Sequence, residues 1–160
     1  MPKKRISSLS FLDSLSAGQI EPFLHKQEWS VHQVISPLLD RIGPAEVSLM
    51  TFNFSNDSLH SLFLCDRITR LRMILDFTVQ RNKLDLMLFA AEFIPEIRFS
   101  STHAKVMLVH NDSMDFGIVG SANLNLEVRH ESGFWFTRGR FFDYFQEKFE
   151  SVFADSVPYE

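Results

Sequence analysis

Residues 101–136 read STHAKVMLVHNDSMDFGIVGSANLNLEVRHESGFWF, and their order of apolar runs and turns decides the fold class. The runs 103–110 and 115–119 flank the turn sequence NDSMD, which predicts a β-hairpin. A further run over 131–137 predicts another strand. The stretch therefore predicts strands that follow one another through short connections.

Helix and strand patterns alternate upstream of this stretch, and one more helix pattern follows it. Helices are predicted at 31–42, 58–66, 79–93 and 139–153, and strands at 19–28, 46–54, 71–77 and 96–99. Ser30 is the predicted N-cap of the first helix and Asn56 or Asp57 that of the second. Pro37 predicts a kink or a break in the first helix, and Pro22 places its strand at a sheet edge. The early β-α-β-α-β order followed by hairpins predicts an α/β fold with a mixed β-sheet flanked by helices.

The composition fits one domain, which we predict over residues 19–160 after a flexible segment, 1–18. The 17 phenylalanines indicate a thick aromatic core, an apolar interface, or both. Because Cys65 is the only cysteine, no internal disulfide forms, and a reducing, cytoplasmic location is favoured. The sequence lacks a signal-peptide pattern and any run near ~18 apolar residues, so no stable membrane association is predicted.

The side chains expected of a phosphate-handling site fall close together in the stretch quoted first. On a strand, His103 and Lys105 point to the same side and pair an imidazole with an ammonium group. Gly120 lets the backbone approach a ligand, while Ser121 and Asn123 supply hydrogen-bond donors. If the hairpin brings the two groups together, they form an anion pocket with His103 as its nucleophile.

A nucleophilic imidazole needs one free nitrogen, while the other carries a proton that must be held in place. Glu131 is the best candidate for the carboxylate that accepts this N–H, since it begins a predicted strand. His103, His110 and His130 lack the neighbouring cysteines or carboxylates of a zinc site, so neither a metal nor a cofactor is predicted.

HAK at 103–105, GSAN at 120–123 and Glu131 together resemble the HxK…GSxN…E signature of the phospholipase D superfamily, also called the HKD family. The resemblance is sharp over 101–137 and extends over 31–154. It implies a mixed sheet between helices and cleavage or transfer of phosphodiesters through a phosphohistidine, without a metal. It also implies His103 and Lys105 as the motif pair, and phosphate binding by Lys105 with Gly120, Ser121 and Asn123.

The sequence departs from the family pattern at His110, which stands where the motif aspartate is expected. The segment from there to GSAN is also about three residues longer than usual. We expect Asp112, two residues further on, to be able to take the role of the missing carboxylate.

Family enzymes bring two HxK motifs to one pocket, whereas this chain contains one. Covalent displacement needs an acid as well as a nucleophile, so we predict a two-fold homodimer with one motif from each chain. A short single-motif chain most resembles the bacterial nuclease branch of the family, which implies DNA or RNA as substrate.

Two other functions stay open at this point. His110 allows a catalytically weakened or inactive nucleic-acid or phosphate-binding module of the same fold, and a phospholipid hydrolase is a weaker alternative. A basic surface for nucleic acid and an ordinary mixed-charge surface are about equally favoured, the residues concerned being Arg67, Arg70, Arg72, Arg81, Lys83, Arg98 and Arg129.

Overall fold

The computed structural model describes residues 9–125 and 128–159. A short 3-10 helix, Ser10–Ser14, precedes the main elements. These are β1 (Ile20–Lys26), α1 (Val31–Ile42), β2 (Ala45–Thr51), α2 (Asn56–Leu64), β3 (Ile68–Asp76), α3 (Phe77–Asn82), α4 (Leu84–Phe93), β4 (Glu96–Ser100), β5 (Val106–His110), β6 (Asp115–Gly120), β7 (His130–Thr137), α5 (Arg140–Asp155) and β8 (Val157–Pro158).

The strands form one mixed sheet in the order β1-β7-β6-β5-β2-β3-β4-β8. The neighbours β2, β3 and β4 run parallel, whereas every other neighbouring pair is antiparallel. The α/β class and the mixed sheet flanked by helices are therefore confirmed, and so is the edge position of β1. No helix within the described part of the chain is both long and apolar enough to cross a membrane.

Each face of the sheet carries its own apolar layer because successive strand residues point to opposite sides. One face packs against α1, α2 and α4 through side chains that include Val34, Leu38, Leu59, Met87, Val47, Leu49 and Met73. The other packs against α5 through Met50, Ile74, Leu108, Phe136, Phe142, Phe149 and Phe153. Many of the phenylalanines therefore lie in the core, which was one of the two locations that the sequence indicated.

Helix α1 begins with the predicted cap, since Ser30 and Gln33 form a capping box. Pro37 does not break the helix, which continues to Ile42. The reason is packing, because the residues on both sides of Pro37 bury their side chains against the sheet and hold the helix together.

Two local predictions about the helices were wrong. Ser55, rather than Asn56 or Asp57, caps α2, because its hydroxyl accepts the Ser58 N–H. The predicted helix 79–93 is two helices that meet at Lys83, whose backbone is not helical and whose ammonium donates to the Phe54 carbonyl at 2.9 Å.

The N-terminal segment and the chain end also differ from expectation. Within the segment 1–18 predicted to be flexible, Leu12 of the 3-10 helix is buried in the core, while residues 1–8 lie outside the described part. The short strand β8 was not predicted; it pairs with β4 through two residues.

Candidate active site

The predicted site residues meet at one end of the inner strands β5, β6 and β7. Lys105 directly precedes β5, Ser121 directly follows β6, and Glu131 is the second residue of β7. The Gly120 N–H lies 3.4 Å from the Lys105 carbonyl, and the Ser121 N–H donates to the Ser132 carbonyl at 2.9 Å. Antiparallel pairing of β5, β6 and β7 therefore brings the HAK and GSAN segments together.

His103 and Lys105 are in contact, although not by the predicted route. Strand β5 starts only at Val106, so the pair lies in a loop rather than on a strand. The Lys105 ammonium lies 3.0 Å from His103 Nδ1 and donates to the His103 carbonyl at 2.7 Å. An ammonium only donates, so Nδ1 accepts in this arrangement and Nε2 carries the proton.

The surroundings of this pair affect its charge and orientation. Burial lowers the pKa of Lys105 below its ordinary value, and the negative charge of Glu131 opposes that shift. The exposed His103 ring packs against Phe52, with ring centroids 4.7 Å apart. Phe52 follows β2 and was not identified from the sequence.

Asp76, at the end of β3, holds the loop that carries His103. One carboxylate oxygen accepts the Thr102 N–H at 2.9 Å, and the other accepts the Thr78 N–H at 2.9 Å and its hydroxyl at 2.7 Å. Burial raises the pKa of Asp76, but these hydrogen bonds and the nearby His103 outweigh it and leave the pKa below its ordinary value. The sequence signal was an aspartate at the carboxyl end of a parallel strand, where ligands bind in α/β sheets.

Glu131 contacts Ser121, not His103, within one chain. The Ser121 hydroxyl donates to the Glu131 carboxylate and accepts the Ser132 N–H at 3.0 Å. Among the described residues no hydrogen bond joins Glu131 to His103. The structure thus places Glu131 at the predicted edge but leaves its predicted partnership with a histidine as a proposal.

Asn123 and Gly120 complete this edge. The Asn123 side-chain oxygen lies 3.4 Å from the Thr51 hydroxyl, which ties the GSAN turn to the end of β2. Gly120 faces Gly133, and a Cβ at position 120 would collide with the Ser132 carbonyl. The glycine is therefore required by close packing of two strands, whatever its part in phosphate binding.

His110 lies at the other end of β5, five residues and about 17 Å from Lys105. Its Nδ1 is 2.5 Å from the carboxylate of Asp115, which is 6% exposed and also accepts from Arg138 at 3.0 Å. Asp115 faces His110 across the hairpin. The carboxylate beside the variant position is therefore Asp115, and the expectation for Asp112 was wrong because the longer hairpin places Asp112 at its exposed tip.

Three of the seven residues of the candidate basic surface are neutralised by ion pairs. Arg67 pairs with Asp40, Arg70 with Glu96 at 2.7 Å, and Arg72 with Glu150 at 2.6 Å. These pairs lie around the start of β3, at the end of the sheet opposite the site, and Arg72 is almost fully buried. An ordinary mixed-charge surface therefore describes this region better than a basic surface for nucleic acid does.

No protein-family model and no curated protein matches the chain. Solved structures do match. Nuc, a phospholipase D family member from Salmonella typhimurium, aligns with a TM-score of 0.68 at 16% identity over 89% of this chain and 99% of its own. NucT from Helicobacter pylori aligns with a TM-score of 0.64 at 15% identity over 88% of this chain and 100% of its own.

A third match is TrmBL2, an archaeal chromatin protein whose structure shows a mode of DNA binding. Its TM-score is 0.58 at 14% identity, over 94% of this chain and 58% of TrmBL2. The chain therefore shares the fold of Nuc, a phospholipase D family member, and of NucT, and this is the fold that the sequence resemblance predicted.

Proposed function

We propose that this protein is a metal-independent phosphodiesterase, a non-specific endonuclease that acts through a phosphohistidine intermediate at a homodimer interface. The observation that carries the proposal is the meeting of His103 and Lys105 with Ser121 and Glu131 at one open edge of the sheet. An imidazole beside an ammonium group and a hydroxyl supplies a nucleophile and phosphate ligands without a metal.

Lys105, Ser121 and Asn123 bind the phosphate oxygens in this proposal, with the Gly120 backbone beside them. A bound phosphate draws the Lys105 ammonium away from His103 Nδ1, since the phosphate carries negative charge and the imidazole is neutral. Nδ1 can then carry the proton, held by a carboxylate, which leaves Nε2 unprotonated for attack. In the site that two copies of the chain form together, Glu131 is the carboxylate that orients a histidine.

His103 forms a P–N bond as the P–O bond to the leaving group breaks. The leaving oxygen takes a proton from His103 of a second copy, and the resulting neutral imidazole then accepts a proton from the water that hydrolyses the phosphohistidine. One chain contributes one HxK motif, so the site requires two copies related by a two-fold axis.

Exposed apolar side chains on the β1–β7 pair offer a surface for a second copy, on the sheet face opposite to Glu131. Leu24 is 73% exposed and Phe134 49% exposed, and their strand pairing places both on the same face of the β1–β7 pair. Val128, 65% exposed, lies in the neighbouring loop. Large apolar side chains that are exposed on one face of a sheet, as Leu24 and Phe134 are, are typical of protein interfaces.

A binding module without turnover is the second candidate, and the structural likeness to a DNA-binding chromatin protein favours it. The His110 replacement argues for it less than the sequence alone indicated, because His110 lies at the far end of β5 from His103. A phospholipid hydrolase has no specific structural support.

Hydrolysis of single- and double-stranded DNA, RNA, bis-p-nitrophenyl phosphate and phosphatidylcholine, each in excess EDTA, separates these functions. We expect nucleic-acid cleavage that His103→Ala abolishes and that His60→Ala, a matched change at an exposed histidine on α2, leaves intact. Equal activity of the His103→Ala variant would rule out the mechanism, and nucleic-acid binding without any turnover would establish the module instead.

A further inference from the structure

His25 is a buried imidazole that the proposed mechanism does not use. It lies on β1, is 8% exposed, and packs against Trp29 and Phe23 with ring centroids 4.3 Å and 5.6 Å away. Neither ring nitrogen has a hydrogen-bond partner within residues 9–125 and 128–159. A buried N–H without a partner destabilises the folded state, so such a group in a folded protein calls for a specific explanation.

The strand register places this imidazole beside the proposed site. His25 is directly opposite Glu131 in the antiparallel β1–β7 pair. Directly opposed residues share one face of a sheet, with Cβ atoms about 5 Å apart. The imidazole N–H and the Glu131 carboxylate are therefore within reach of each other after a change of side-chain rotamer.

Glu131 is at present held by Ser121, whose hydroxyl donates to the carboxylate. A hydroxyl can donate only one hydrogen bond. If the Ser121 hydroxyl donates to a substrate phosphate, it can no longer donate to Glu131. The carboxylate must then find another donor or lose its fixed orientation at the moment of reaction.

We propose that His25 is a positioning residue that takes over the Glu131 carboxylate when Ser121 turns to the substrate phosphate. The neutral imidazole donates its N–H to one carboxylate oxygen and leaves the other for the nucleophilic histidine. This exchange rests on the proposed function, because it requires a phosphate at Ser121. It gives the unsatisfied N–H of His25 a partner only in the substrate complex, and thereby favours phosphate binding.

His25→Phe tests the proposal, because phenylalanine keeps the ring packing against Trp29 and Phe23 while it removes both nitrogens. We expect the melting temperature to rise by about 2–4 °C, since an unsatisfied polar group is removed. At the same time kcat/KM for bis-p-nitrophenyl phosphate should fall about 10-fold or more, the effect of losing one hydrogen bond to a charged group.

A double-mutant cycle with Glu131→Ala tests whether His25 acts through Glu131. If it does, His25→Phe lowers kcat/KM in the wild-type protein and has little further effect in the Glu131→Ala background, whereas in Ser121→Ala, which has already lost the other donor to Glu131, it lowers kcat/KM at least as much as in wild type. His25→Gln, which retains an N–H donor, should recover part of the lost activity. His60→Phe, at an exposed imidazole on α2, is the matched control and should not change activity.

Additive effects in the cycle, or unchanged kinetics of His25→Phe with a lowered melting temperature, would show that His25 is structural and overturn the proposal. The activity of the His103→Ala variant separates failure of this proposal from failure of the proposed function. If His103→Ala remains active, the proposed function has failed; if it is inactive while His25→Phe is fully active, only the role of His25 has failed.

Discussion

Replacing His110 by aspartate introduces a second carboxylate opposite Asp115, because the two residues face each other across the β5–β6 hairpin. The wild-type imidazole nitrogen lies 2.5 Å from the Asp115 carboxylate, which is 6% exposed. The substitution restores the residue type expected from the family pattern. The local structure nevertheless predicts that it weakens the fold.

Two effects set the magnitude. Loss of a hydrogen bond to a charged group costs about 1.5–3 kcal/mol. Repulsion between the carboxylates adds about 1 kcal/mol, a small value because half of the side-chain surface at position 110 is exposed to screening solvent. Arg138 still donates to Asp115 and limits the loss. Together these effects predict a destabilisation of about 2–4 kcal/mol and a melting temperature about 5–15 °C lower.

Thermal unfolding and urea titration near neutral pH, followed by circular dichroism, measure this change. His110→Asn is the matched control: it removes the imidazole without adding charge and should cost less than His110→Asp. Activity below the melting transition should stay within about twofold of wild type, because the substitution lies about 17 Å along the strand from Lys105. An aspartate variant at least as stable as wild type, or several-fold more active, would refute this reading of the hairpin.

Three further outcomes follow from the site. His103→Ala should lower phosphodiesterase activity at least about 10³-fold in excess EDTA with an unchanged melting temperature, because the side chain is exposed; residual activity near wild type would exclude it as nucleophile. Asp76→Asn should lower kcat about 10-fold or more by loosening the Thr102–His103 loop. Since the folded-state pKa of Asp76 is depressed, its contribution to stability is present above the unfolded aspartate pKa of about 3.9 and is lost as pH falls through the lower folded value. As the pH falls below about 4, the asparagine variant should therefore lose less folding stability than the wild type. The same dependence of stability on pH in both proteins would contradict this. Because burial lowers the pKa of Lys105, activity should decline on the alkaline side before the ordinary lysine range, and Lys105→Arg should shift that decline upward in a pH–rate profile.

The fold class was predictable because it depends on local patterns that survive in the sequence. The apolar runs on both sides of NDSMD predicted the β5–β6 hairpin, and the helical spacing after Ser30 predicted α1. Boundaries were less predictable where packing competes with local preference. Lys83 interrupts a continuous apolar helix pattern because its ammonium reaches the Phe54 carbonyl, a contact between segments distant in sequence.

The residues of the candidate site were also only partly predictable from the sequence. The HAK and GSAN segments were identified from residue type and spacing, and the structure brings them to one sheet edge. Asp76 and Phe52 were missed because each is an ordinary residue at the end of its own strand. Their position beside His103 arises only when β2, β3 and β5 lie side by side.

The sequence alone determined which chemical groups this protein possesses and most of the helices and strands that it forms, since both depend on residue identity and short-range periodicity. The tertiary structure decided which groups meet. Strand register placed Asp115 against His110 and Ser121 against Glu131. It also placed His25, whose ring nitrogens have no hydrogen-bond partner among the described residues, on the face of Glu131. Such partnerships depend on pairing between residues up to about a hundred positions apart, and no local pattern in a single chain encodes them.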